Sequence, residues 1–142
     1  MPARGLRSST DSVRTPPELL RQIRKEFGKF YDPAPFNPRF DPSKHRDGLT
    51  TDWKKINFVN PPYSSVGPWV KKAHLEWKKN KTIILLIKLE NLGRKYSTLL
   101  KGAEIRIFTE ALTFPGYERK AAFTNVLVIM RARKRSTVYK FI

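Results

Sequence analysis

Apolar positions recur along this chain with two different spacings, and the switches between them predict the order of elements. After Thr15-Pro16-Pro17-Glu18, the residues Leu19, Leu20, Ile23 and Phe27 fall on one face of a helix. Thr15 is placed to cap that helix, Pro16 to open its first turn, Glu18 to complete a capping box and Gly28 to end it. Phe30-Tyr31 predicts a very short strand that stops at Asp32. Residues 32–48 then carry Pro33, Pro35, Pro38 and Pro42, which breaks any regular element and predicts a long loop.

Trp53 to Asn60 reads as a strand, with Ile56, Phe58 and Val59 apolar. The spacing of Trp69, Val70, Ala73 and Trp77 predicts a helix from Gly67 to Lys79, with its three-to-four-residue apolar period facing the core. Thr82 to Ile87 is almost wholly apolar and suits a central strand buried on both faces. A short helix follows around Arg94 to Lys101. Further strands are expected at Glu104 to Phe108, at Leu112-Thr113-Phe114 and at Asn125 to Met130, with Val138 to Ile142 as an edge strand. Helices alternating with strands argue for an α/β domain with a mostly parallel sheet.

The length of 142 residues suits one small domain. Residues 1–14 are polar and basic and read as an arm, a candidate contact for protein partners, ahead of a domain over 15–142. With no cysteine and two histidines, His45 and His74, disulfides, thiolate sites and a zinc centre are excluded or unsupported, and no metal is expected. No apolar run is long enough for a spanning helix, and Met1 to Thr15 lacks the apolar stretch of a signal peptide, so neither membrane insertion nor secretion is expected. The formal net charge of +17, from 29 Lys+Arg against 12 Asp+Glu, points to a polyanion partner. Lys71, Lys72 and Lys78 on the second helix, and the cluster Arg131, Arg133, Lys134 and Arg135, are the candidate phosphate contacts.

The chemistry-bearing candidates sit where strands end, the usual ligand edge of an open α/β sheet. Asn60-Pro61-Pro62-Tyr63 follows an apolar strand and precedes an amphipathic helix. The lone pair of an aromatic amine is conjugated into its ring, so methylating it requires the amino group to be gripped by its hydrogens. The Asn60 side-chain oxygen and the Pro61 backbone carbonyl are two acceptors for that grip. Pro62 stiffens the turn, and Tyr63 offers a ring on which an extruded base can stack. Taken alone, the tetrapeptide reads equally well as a proline turn with Tyr63 as packing. Asp32-Pro33-Ala34 offers a carboxylate to a ligand's ammonium or ribose hydroxyls, and Asp47-Gly48-Leu49 offers a second; both also read as plain turns. Trp53, Trp69 and Trp77 read as core or rim packing, and His74 as a surface helix residue.

The ordered set of these motifs resembles the phage-type DNA N-6-adenine methyltransferases. The resemblance rests on Thr15-Pro16-Pro17-Glu18-Leu19-Leu20, Phe27 through Ala34, Asp47-Gly48-Leu49, Asp52-Trp53, Phe58 through Ser64, Trp69 through Ala73, Thr82 through Leu86 and Ala103 through Ile107. It implies a Rossmann-like methyltransferase fold, a central sheet flanked by helices, with S-adenosylmethionine as cofactor and adenine in DNA as acceptor. It further implies that Asn60, Pro61, Pro62 and Tyr63 hold the adenine, and that Asp32, Pro33, Ala34, Asp47, Thr15 and Pro16 line the cofactor site. Lys88-Leu89-Glu90-Asn91 stands where the family carries a proline-containing, threonine-rich turn, and Glu110-Ala111 where it tends to carry a Gly-Arg pair, so altered substrate contacts are expected. The expected activity is methylation of adenine N6 inside a cell. The competing expectation is a catalytically inactive methyltransferase fold serving as a basic structural or nucleic-acid-associated component, for example of a virus particle.

Overall fold

The computed structural model describes residues 13–36, 47–93, 96–133 and 136–142. Several sequence expectations fall outside these residues: the arm up to Ser12, Pro38, Pro42, His45, Arg94, Lys134 and Arg135. The described chain runs α1 (Pro17–Phe27), β1 (Ile56–Val59), α2 (Val66–Lys78), β2 (Thr82–Lys88), α3 (Ser97–Leu100), β3 (Glu104–Ile107), β4 (Asn125–Met130) and β5 (Val138–Phe141). The strands form one sheet in the order β1-β2-β4-β3-β5. Phe30-Tyr31 shrinks to a single bridge, Tyr31 paired parallel with Asn57 beyond β1. The Tyr31 amide donates to the Ile56 carbonyl at 2.9 Å, and the Phe58 amide donates to the Tyr31 carbonyl at 2.9 Å.

The α/β fold is as expected, but the sheet is mixed rather than mostly parallel. β1 pairs parallel with β2, and β3 with β5, while β4 runs antiparallel to both β2 and β3. The cause lies in the connections. β1 and β2 are joined through α2, the crossover that a parallel pair requires. Between β3 and β4 there is no helix, and the chain returns at the end of the sheet where it left, so β4 must run backwards.

Alternation along β2 divides the core. Ile83, Leu85 and Ile87 face α2 and pack with Trp53, Val70, Ala73 and Trp77. Ile84 and Leu86 face α1 and pack with Leu19, Ile23, Phe58 and Phe114. Burial on both faces explains the unbroken apolar runs of β2 and β4. The tryptophans are core residues, as expected: Trp53 and Trp69 stack at 6.3 Å.

Three local expectations are corrected. The N-cap of α1 is Pro16, with no side-chain cap, so Pro17 takes the first helical position and Glu18 pairs with Arg21 instead of closing a capping box. Gly28 ends that helix as expected, at φ 88°, where a side chain would be strained. Leu112-Thr113-Phe114 forms no strand; the Tyr117 amide closes a turn onto the Phe114 carbonyl at 3.1 Å, and Phe114 plugs the core on the α1 side. His74 is half-buried rather than a free surface residue, and its Nδ1 lies 3.0 Å from the Leu99 carbonyl, tying α2 to α3.

Candidate active site

The parallel strands place Asp32 and Asn60 at the same end of the sheet, because each follows directly on one partner of the Tyr31–β1 pairing. β2 ends there too, at Lys88, and β4 begins there, at Asn125, directly opposite Lys88. These elements therefore deliver Asp32, Asn60, Tyr63, Lys88 and Asn125 to one edge.

Asn60 is half-buried, and its orientation is defined by its partners. Its Nδ2 donates to the Val13 carbonyl at 3.2 Å and to Thr15 Oγ1 at 3.1 Å. A backbone carbonyl only accepts, so the nitrogen must be the atom that faces Val13. The Asn60 side-chain oxygen is thereby turned away, with no partner among the described residues. Thr15, expected to line a cofactor site, contacts Asn60 itself. Val13 is buried in the α1-side core, so the packed domain already includes it. Pro61 is buried, and the Pro62 carbonyl accepts from the Ser65 amide at 3.2 Å, folding the chain into a turn that leads into α2.

The Tyr63 ring meets Phe123 edge-on, at 5.4 Å and 79°. The Lys88 ammonium lies over both rings, 4.7 Å from the Tyr63 centroid and 4.5 Å from that of Phe123. The Tyr63 hydroxyl and Asn125 Oδ1 are buried near each other, but out of hydrogen-bonding alignment. Burial pushes the phenol up to about 12, so it stays protonated at neutral pH.

Asp32 is also half-buried. Its Oδ1 accepts the Ala34 amide at 2.9 Å, an Asx turn that shapes the Asp32-Pro33-Ala34 loop. Burial raises its carboxyl to about 6 even though the Ala34 amide opposes the shift. Asp47 makes the same kind of turn with the Leu49 amide, at 2.9 Å. The two loops touch at Gly48. A Cβ there would sit 2.0 Å from the Pro33 carbonyl oxygen and 2.9 Å from the Trp69 ring, so only glycine allows the approach. The Gly48 carbonyl in turn accepts the Trp53 indole N–H at 2.8 Å. The loops that carry Asp32 and Asp47 are thus packed backbone to backbone at Pro33 and Gly48.

Among the described basic candidates, Arg131 and Arg133 are not brought to this edge. β4 runs backwards, so Arg131 and Arg133 emerge beside the start of β2, a strand length of about 20 Å from Lys88. Lys78, at the last turn of α2, lies towards that far end as well. Arg131 is spent on ion pairs to Glu26 at 3.4 Å and Glu104 at 3.2 Å. Lys72 pairs with Glu76 at 3.0 Å. Lys71, Lys78 and Arg133 are exposed.

Glu76 is the residue that sequence reasoning missed. It is fully buried, and also pairs with Lys81. The signal was there, since Glu76 falls at apolar-face spacing from Trp69 and Ala73, with Lys72 one turn before it. A cavity of about 280 Å³ lies elsewhere, between α3, β3 and β5, lined by Leu100, Ile105 and Tyr139 among others. No cluster of His, Asp and Glu suited to a metal ion occurs among the described residues. None of their helices is long and apolar enough to cross a membrane.

Asn60 and the half-buried Asp32 thus stand at neighbouring strand ends of a mixed α/β sheet flanked by helices. The family model of DNA N-6-adenine-methyltransferase (Dam) matches residues 3–137, and the chain belongs to that family. It is a family of methyltransferases, which implies use of S-adenosylmethionine. Among solved structures, a predicted O-methyltransferase from Agrobacterium tumefaciens is similar at 18% identity and a TM-score of 0.39, over 67% of this chain and 43% of that one. The chain therefore spans less than half the length of that relative. No curated protein matches the sequence.

Proposed function

We propose that this protein is an S-adenosylmethionine-dependent DNA methyltransferase acting on the N6 amino group of an adenine swung out of the duplex. The observation that carries the reading is the Asn60 amide. Val13 and Thr15 hold its nitrogen, which leaves its oxygen as an acceptor beside the Pro61 carbonyl.

The residues of the cofactor edge fit the group that the family implies. A half-buried carboxylate with one oxygen committed to Ala34 suits an ammonium or hydroxyl donor of the ligand. Asp32 and the Pro33-Ala34 turn would hold it, with Asp47 on the loop seated against them. When bound, S-adenosylmethionine would supply an electrophilic methyl group on a sulfonium, whose sulfur would keep the electron pair of the broken bond and leave as a neutral thioether.

Asn60 Oδ1 and the Pro61 carbonyl each accept one N6 hydrogen. This grip draws the nitrogen lone pair out of conjugation and aims it at the methyl carbon. Because both acceptors are fixed before the base arrives, little reorganisation is needed at the moment of transfer. No general base is required first, since the N6 proton leaves to solvent once the new bond has formed. Tyr63 supplies an aromatic surface for the base. DNA contacts fall to the exposed lysines, Lys71 among them, rather than to Arg131.

The test is incubation with tritiated S-adenosylmethionine and unmethylated DNA. Label should appear as N6-methyladenine, and Asn60→Ala should lose roughly a hundredfold or more in rate, the usual scale for one preorganised polar contact. Equal incorporation by the parent and Asn60→Ala would refute the assignment.

A further inference from the structure

Lys88 belongs to none of the roles above, yet it is among the most confined cations in the described structure, at 6% exposure. It closes β2 on the α1 side of the sheet, the side on which Tyr63 and Phe123 also pack. Its ammonium rests over the two rings, while the rings meet edge to face. Asn125, its partner across the β2–β4 ladder, donates Nδ2 to the Ile87 carbonyl at 3.2 Å. That bond fixes the Asn125 amide and leaves Oδ1 as a buried acceptor near the buried Tyr63 hydroxyl. Both atoms are buried without a hydrogen-bond partner, and an unmade bond between buried polar groups is costly.

We propose that Lys88 is a positioning residue for Tyr63. Its ammonium lies over the ring, Phe123 meets it edge to face and Asn125 stands beside the hydroxyl, so the face away from Lys88 is presented in a fixed plane to the target base. A cation held between desolvated aromatic faces is among the stronger interactions of its kind. This places a charged group behind the stacking ring rather than in the path of the base. It rests on the function proposed above, because it concerns the same ring. The misalignment expected without Lys88 acts on the reacting geometry, and so on kcat more than on cofactor affinity.

Two measurements test this. In ¹³C-labelled protein, the Lys88 ε-methylene protons should lie upfield of the other lysines, and Tyr63→Leu should relieve most of that displacement. Saturation with unmethylated DNA should leave them upfield. Their return to the ordinary lysine position on DNA addition would show a placeholder that the base displaces, and would overturn the proposal. In steady-state methylation, Lys88→Met keeps the length of the side chain without its charge and should lower kcat about tenfold with KM for S-adenosylmethionine unchanged, and Lys88→Arg should restore kcat to within about twofold. An unchanged kcat in a folded Lys88→Met protein would also overturn it. If the parent transfers no methyl group at all, the enzymatic reading fails, while the proton shifts still decide whether Lys88 holds Tyr63.

Discussion

Replacing Glu76 by Gln removes one charge from a fully buried site and leaves its shape intact. The carboxylate is shallow but sealed from solvent by lysine chains: Lys72 at 3.0 Å, Lys79 at 3.7 Å and the closer Lys81. It also accepts the Trp53 amide, at 3.5 Å. Burial on its own would raise the carboxyl, but hydrogen bonds and charge from Lys81 and Lys72 outweigh it and hold the group down at about 2, against an ordinary 4.5. A lowered carboxyl stabilises the fold above its unfolded value, and that stability is lost as pH falls through the folded value. The full shift corresponds to about 3 kcal/mol at pH 7, falling to about 1 kcal/mol at pH 3. Glu76→Gln mimics the protonated form, so urea unfolding should show a deficit of about 3 kcal/mol at pH 7 that closes on acidification. A deficit of the same size at pH 3 would mean that geometry, not charge, holds this corner. No deficit at pH 7 would refute the network altogether.

Other outcomes follow from the site edge and its far end. Asp32 is raised to about 6, so its effect on stability is favourable below about 4 and lost as pH rises through 6. Asp32→Asn should therefore raise the melting temperature at pH 8 more than at pH 5, while calorimetry shows weakened S-adenosylmethionine binding; in the parent, that binding should strengthen as pH climbs through 6. Gly48→Ala forces a Cβ into the Pro33 carbonyl and should cost about 1–3 kcal/mol in thermal or urea unfolding, as overpacking does. Arg131→Ala should lower stability by about 1–2 kcal/mol through the loss of Glu26 and Glu104, yet leave DNA affinity in a gel-shift titration near that of the parent, whereas Lys71→Ala should weaken it and flatten its salt dependence.

β2 and β4 were legible because burial on both faces writes an apolar run, as in Ile83 through Ile87. Their directions were not, because Asn125 to Met130 is equally apolar whichever way it runs. The missing helix between Ile107 and Asn125 was the available sign, since a parallel partner would need a crossover. Asn60 and Tyr63 were legible as a motif, but their surroundings were not. Asn60 is bound by residues more than forty positions earlier, and Tyr63 is packed by Lys88 and Phe123 from much later in the chain. The lysines near Glu76 were read by charge alone, which cannot separate a cation facing solvent from one facing a buried acid.

The same tertiary contacts change what the opening segment means. Residues 1–14 look like an appendage, but the Val13 carbonyl is what fixes the Asn60 amide, and Thr15 reinforces it. Were those contacts absent, the amide could turn over and present N–H donors where the proposed reaction needs an acceptor. An amino group with two hydrogens would then face a donor, and the grip on it would become a repulsion. The orientation of the amide at the strand end is therefore a property of two distant segments together: β1 places Asn60, and the chain ahead of α1 decides which of its atoms the proposed reaction would meet.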